Sequence, residues 1–134
     1  MFKRRNWFYA VLAALAAWFG YTAWAVDNTI TGQAPTTNTD DSPVALASIR
    51  VYKVILTGTA PNCGTATYSV FATVPFTTSG GTFTVQDPNQ TVSGRYCYQA
   101  TALGPNGLES ARSAAAFKDV DTRVPNAPTN LTVN

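Results

Sequence analysis

The stretch that most constrains the fold is "RYCYQATAL", residues 95–103, because its side chains alternate in character with a period of two. One phase carries aromatic or small apolar side chains, namely Tyr96, Tyr98, Ala100 and Ala102. The other phase consists of Cys97, Gln99 and Thr101. A β-strand sends successive side chains to opposite faces, whereas a helix repeats every 3.6 residues. This run therefore predicts a strand with one face turned to a core.

Further short runs of the same kind predict five more strands, at residues 28–34, 49–56, 66–74, 82–86 and 112–120. Turn-forming residues separate them, as in "PTTNTDDSP", "GTAPNCG", "TTSGG" and "GPNG". Short strands at regular spacing with such turns are typical of an antiparallel sandwich or barrel. The alanines of 111–117 also allow a helix, but the shortness of the run and the Gly-rich turn before it favour a strand.

The first 25 residues have the layout of a secretory signal peptide. Lys3, Arg4 and Arg5 form a basic head, an uncharged run follows, and Ala23-Trp24-Ala25 is a small-x-small site before Val26. The apolar run 7–26 has 20 residues, which is also enough for an uncleaved membrane anchor. Either reading predicts export, so we expect a secreted, periplasmic or cell-surface protein, anchored to the membrane through residues 7–26 if the signal is retained.

Charge and cysteine content narrow the function classes for the exported part. The chain has nine Lys and Arg against seven Asp and Glu. Without the three cations of the basic head, six cations remain against seven anions, so the net charge of the exported part is −1. No basic patch for nucleic acid is therefore predicted. Cys63 and Cys97 both lie in the exported part, where a disulfide is the default expectation.

Four stretches together resemble a fibronectin type III domain of exported bacterial or phage proteins. "APTTNTDDSP" is similar to the family's loop between strands B and C, and "SIRVYKV" to strand C. "GRYCYQATALGPNGLES" is similar to strand F, the F–G loop and the start of G, and "PNAPTNLTV" to strand A. The resemblance implies an all-β, immunoglobulin-like antiparallel β-sandwich over residues 26–120, following an N-terminal apolar signal helix.

The resemblance also implies roles for single residues. Tyr96 would anchor the turn that leads into strand F. Strands C and F are antiparallel neighbours in this family, which would bring Cys63 and Cys97 within the roughly 7 Å that a disulfide requires. Gly32 stands where the family usually has a core tryptophan, so Phe71, Phe76 or Phe83 would have to fill the space.

The segment 121–134 resembles strand A, although it follows the last predicted strand rather than preceding the first. Its alternation places Leu131 and Val133 on one face. Residues 28–34 would be strand B, and with no strand A before them one edge of strand B would be empty. Three outcomes are open for the tail: it is loose, it pairs with this edge of the same domain, or it is donated to this edge in a second copy. The last outcome would give self-association through the tail.

Catalysis is not expected, because the chain has no histidine and Cys63 and Cys97 are better explained by a disulfide. Asp40 and Asp41 are adjacent and do not form a spaced acid/base pair; no metal site or cofactor is predicted. We expect a recognition or adhesion module that binds a protein or glycan surface through loop residues Thr39, Asp40, Asp41, Ser42, Pro105, Asn106, Leu108 and Glu109. The alternative is a structural subunit or spacer of a surface or virion assembly, held by its C-terminal strand.

Overall fold

The computed structural model describes residues 26–127, 129–130 and 132. The predicted signal helix at 1–25 and the predicted strand-donation residues Leu131 and Val133 lie outside the described residues. Six strands and one short 3₁₀ turn follow in the order β1 (Val26–Gln33), β2 (Ser48–Leu56), the turn at Cys63–Thr65, β3 (Ser69–Pro75), β4 (Thr82–Gln90), β5 (Gly94–Leu103) and β6 (Ala116–Val120). None of the described helical turns is long and apolar enough to span a bilayer.

The strands form two antiparallel sheets, as the sequence predicted. The first sheet contains β1 and β4, and the second has the order β3-β2-β5-β6. In the second sheet β2 and β5 pair along their whole length, from Ser48 opposite Leu103 to Leu56 opposite Arg95. The chain therefore folds into an all-β, sandwich-like structure in which two central strands form the longest ladder.

The core lies between the sheets and confirms the phase predicted for β5. Tyr96 and Tyr98 are buried in it, and Ala100 and Ala102 pack against it. Cys97 faces the other way, into a separate cluster on the outer face of the sheet. The Tyr96 hydroxyl donates to the carbonyl oxygen of Val92 at 2.9 Å, which ties β5 to the turn that precedes it.

Phe83 fills the space left by Gly32, as one of the three predicted candidates. The two residues are directly opposite each other in the β1–β4 ladder. A Cβ placed on Gly32 would lie 2.4 Å from the Phe83 ring, so the ring lies directly over the glycine. An aromatic side chain covering a cross-strand glycine is a known way of stabilising an edge strand. Phe76 meets Phe83 edge to face at 6.1 Å between ring centroids.

The cysteines join the loop after β2 to the outer face of β5. Their sulfur atoms lie at bonding distance, and their Cα atoms are 5.7 Å apart. Tyr52 and Tyr68 complete a small buried cluster around them. The Tyr68 hydroxyl donates to the Cys63 carbonyl oxygen at 2.9 Å. The predicted pairing of Cys63 with Cys97 is thus confirmed, and it holds the loop 57–68 against the sheet.

Three strand boundaries differ from the prediction by more than two residues, and β4 is the clearest case. It continues past the predicted end at residue 86 to Gln90. Asp87-Pro88 reads as a turn in sequence, but a proline is tolerated where its missing N–H would face a free sheet edge. The alternation of the ladder turns position 88 away from β1, toward the edge of β4 that no described strand covers.

β3 and β6 begin later than predicted, at Ser69 and Ala116. Residues 66–68 belong instead to the loop around the disulfide. Before β6, Ser110 and Ser113 replace a regular ladder: their N–H groups donate to the carbonyls of Ala102 and Ala100 at 2.9 Å. Their hydroxyl oxygens accept from the N–H groups of the same two alanines at 2.9 and 3.0 Å. The three residue steps from Ser110 to Ser113 therefore lie opposite only two steps of β5, from Ala102 to Ala100. A continuous, regularly paired strand cannot have this spacing.

Candidate functional site

The loop between β1 and β2 is a compact turn built from its own side chains. Asn38 donates its backbone N–H to the Ser42 carbonyl at 2.8 Å. Its side-chain amide donates to the Ser42 hydroxyl at 2.9 Å and to the Pro43 carbonyl at 3.1 Å. Asp41 has a φ of 61°, a left-handed conformation that Asp adopts more readily than most residues. The predicted binding residues 39–42 are therefore the exposed tip of an ordered turn.

Asp40, one of those residues, already has hydrogen-bond partners within the turn. Its carboxylate accepts from the side-chain hydroxyl and from the backbone N–H of Ser42, the latter at 3.1 Å. These hydrogen bonds lower the pKa of Asp40, the side-chain one most strongly. In the described part of the chain, no group of three or more His, Cys, Asp or Glu side chains could hold a metal ion.

The loop between β5 and β6 is a tight turn that presents an apolar side chain. Gly104 donates its N–H to the Leu108 carbonyl at 3.0 Å. The Asn106 side chain accepts from the Leu108 N–H at 3.1 Å. Gly107 has a φ of 80°, a conformation that favours glycine. As a result, Leu108 stands out from the turn with 71% of its surface exposed.

The two loops meet at the same end of the sandwich and enclose a groove of about 450 Å³. One side is formed by residues between Pro35 and Leu46, and the other by residues between Ala102 and Ser110. Five of the eight predicted loop residues line it, and four of these are Thr39, Pro105, Asn106 and Leu108. Glu109 also contributes, whereas Asp40, Asp41 and Ser42 are not among the lining residues.

Glu109 is turned from the loop onto the outer face of the second sheet. Its carboxylate accepts hydrogen bonds from Tyr52 and Thr101 and forms an ion pair with Arg50 at 2.8 Å. The hydrogen bonds from Thr101 and then Tyr52 lower the pKa of Glu109. Arg112 covers the Tyr52 ring, with its guanidinium carbon 4.1 Å from the ring centroid. Glu109 therefore fixes the base of the loop rather than extending into solvent.

A second polar cluster, which the sequence interpretation missed, lies between the sheets. Lys53 of β2 donates to both Asp87 oxygens at 2.9 and 3.1 Å. The Tyr98 hydroxyl donates to Asp87 at 2.7 Å and accepts from the Asn28 amide at 2.8 Å. Asp87 and Asn28 are 4% and 2% exposed. The sequence did contain a signal that could have placed these two side chains inside the sandwich. Lys53 and Asp87 share the period-two phase of core residues such as Val51 and Val85.

We expect the stability of the domain to fall at acid pH because of Asp87. Burial alone would raise its pKa, but hydrogen bonds from Lys53, Tyr98 and Gln90, together with the Lys53 charge, outweigh burial and lower the pKa below its usual 3.8. The ionised form is thus favoured by folding, so the contribution is fully present above the unfolded pKa and is lost as pH falls through the lowered pKa of the folded state.

Urea midpoints measured between about pH 7 and pH 2 would show this decline. The substitution Asp87→Asn should flatten it, whereas Asp41→Asn on the exposed turn should leave the profile unchanged. A wild-type midpoint that stays constant down to the lowest pH would contradict the assignment.

No family model, curated protein or solved structure matches this chain.

Proposed function

We propose that this chain is an exported, non-enzymatic recognition module of the fibronectin type III kind. The resemblance assigns β1, β2, β5 and β6 to strands B, C, F and G, and by their order we assign β3 and β4 to C′ and E. The adjacency of β2 and β5 supports that assignment, as does the separate pair of β1 and β4. The Tyr96 hydroxyl bond to Val92 supports it further, because this is the anchoring role that the resemblance implies for that tyrosine.

The proposed binding surface is the end of the sandwich formed by the loops 36–43 and 104–109. The single observation that carries this proposal is Leu108, a large apolar side chain held outward at the rim of the groove by an ordered turn. An apolar anchor surrounded by polar groups is the usual composition of a recognition surface. Loops on a rigid sheet scaffold are also where binding residues concentrate.

Export to an oxidising compartment is the setting we propose for this module. The Cys63–Cys97 pair at bonding distance is compatible with it, because disulfides persist mainly outside the reducing cytosol. The partner that fits is a protein or glycan with a small apolar feature beside hydrogen-bonding groups. Asn106 and Thr39, which line the groove, would form hydrogen bonds with those groups of the partner.

Replacement of Leu108 by Asp is expected to reduce binding by about fivefold or more, because truncation of a central apolar anchor costs more than about 1 kcal/mol. The probes are a printed glycan array and a panel of immobilised cell-surface proteins. Val70→Asp is the matched control, since Val70 is also apolar and 56% exposed but lies on β3. Equal loss in both variants, or retention of wild-type binding by Leu108→Asp, would refute the loop surface.

A further inference from the structure

The first sheet has an edge along β1 that no described strand covers. Within the described residues β1 pairs only with β4. The Ala34 N–H donates to the Gly81 carbonyl at 2.9 Å, which places Ala34, Gly32 and Ile30 at the hydrogen-bonded positions of the ladder. The backbone N–H and C=O groups of Thr29, Thr31 and Gln33 therefore point away from β4.

From Asn28 onward, beyond the charged Asp27, this edge lacks the usual protection against pairing with another strand. Native sheets cover exposed edges or place charges and prolines on them. Residues 28–34, "NTITGQA", contain neither a charged residue nor a proline. The edge is thus chemically able to accept one more strand.

A groove of about 410 Å³ runs beside the same edge. Ile30, Ile49 and Phe83 line it, together with small side chains from β5 and from the segment before β6, including Ala100, Ala102 and Ala114. None of its lining residues is charged. A cavity of about 150 Å³ holds a benzene ring, so this groove has room for two or three aliphatic side chains. An added strand would place every second side chain there.

We propose that the occupant is residues 126–134 of a second copy of this chain. The segment "NAPTNLTVN" carries no charge, which matches the uncharged groove. Its alternation directs Leu131 and Val133 to one side when the segment is extended. The described residues of the tail, 126–127, 129–130 and 132, are exposed and belong to no strand. Asn130, with a φ of 59°, changes to the extended conformation on docking.

The tail of the same copy is too short to complete the sheet in the antiparallel direction. It is held where β1 begins, because the Thr122 N–H donates to the Ser93 hydroxyl at 2.9 Å and Lys118 donates to the Asp27 carbonyl at 3.0 Å. An antiparallel strand must enter beside Gln33, about 24 Å from Val26 at 3.4 Å per residue. The seven residue steps from Thr122 to Thr129 reach at most about 25 Å, which only covers this distance and leaves nothing for the turn that reverses direction.

Donation to a second copy needs no such reversal, because the tail leaves one end of the sandwich and enters the next copy at its opposite end. Backbone hydrogen bonds then complete a third strand in that sheet. Each copy donates one tail and accepts one, so the contact is head to tail and builds open chains of copies rather than a closed dimer.

The test is the mass of the full chain, purified with the N-terminus that the expression host leaves on it, over about a hundredfold range of concentration. Sedimentation velocity should show the average mass rising with concentration and exceeding that of a dimer. The double variant Leu131→Asp/Val133→Asp should be a monomer throughout. Thr132→Asp, which adds a charge on the opposite face of the same segment, should still assemble.

Complementation distinguishes strand docking from general stickiness. The variant Ala114→Glu, at an exposed position in the groove, keeps its tail but loses its acceptor site and should be a monomer alone. Mixed with the double tail variant, which keeps its groove, it should form a dimer and nothing larger. A wild type that stays monomeric, as it would if its own tail paired in parallel with β1, overturns the proposal. So does a mixture that fails to form that dimer, or equal loss of assembly in Thr132→Asp.

Discussion

Replacing both cysteines by serine is expected to lower the free energy of unfolding by about 4 kcal/mol, because the disulfide closes a loop of 34 residues in the unfolded chain. This is a large share of the 5–15 kcal/mol that holds a typical domain together. The loss should also release the segment 57–68, since Cys63 is the residue that holds it beside Tyr52 and Tyr68. Urea unfolding of Cys63→Ser/Cys97→Ser against the wild type measures the effect.

Two controls distinguish the effect of losing the disulfide bond from the effect of changing the side chains. The wild type in the presence of a strong reductant should unfold at nearly the same urea concentration as the double serine variant. Tyr68→Phe removes only the hydrogen bond to the Cys63 carbonyl and should cost about 1 kcal/mol. A double serine variant within about 1 kcal/mol of the wild type would mean that the bond does not constrain the unfolded chain as the loop length requires.

The second large effect is expected from Asp87→Ala, at about 3 kcal/mol. Asp87 is almost fully buried and holds Lys53 and Tyr98, so its removal leaves a mostly buried ammonium group without a partner. Breaking one side of a buried ion pair typically costs 3–5 kcal/mol. The lower end applies here because the Lys53 side chain is 22% exposed and can reach some water.

A double-mutant cycle tests the origin of that loss. The cycle consists of Lys53→Met, Asp87→Leu and the double variant. The double variant removes both charges and should be less destabilised than Asp87→Leu alone, because no unpaired charge remains in the core. Lys53 also lies 4.7 Å from the Phe71 ring centroid, a contact that the methionine side chain can partly keep. If the double variant instead loses the sum of the two single losses, the two residues act independently and the ion pair has no role.

The local pattern of β5 was enough to predict that it is a strand and which of its faces is turned to the core. A period of two specifies a strand with two distinct faces. One of these faces carries Tyr96, Tyr98, Ala100 and Ala102, and its apolar character identifies it as the face turned to the core. The pairing of Cys63 with Cys97 followed because the resemblance supplied the neighbouring strand. These features depend on short windows of sequence or on one topological fact.

The polar core could not be predicted in the same way. Lys53, Asp87 and Asn28 come from three strands, and their contact depends on which residues the two sheets bring face to face. The extension of β4 past Pro88 depends likewise on which edge of that strand is free. At the candidate site, the turns at 38–42 and 104–108 were evident from their Gly, Pro, Asn and Asp residues. The orientation of Glu109 was not, because it depends on Tyr52 and Thr101.

The uncovered edge of β1 is the claim on which the assignment of the strands and the proposed strand docking both depend. Amide hydrogen exchange followed by NMR at low protein concentration tests it residue by residue. Ile30 and Gly32, whose N–H groups face β4, should exchange slowly, whereas Thr29, Thr31 and Gln33 should exchange fast. Slow exchange at these three positions in the dilute monomer would show that the edge is covered and would contradict the account.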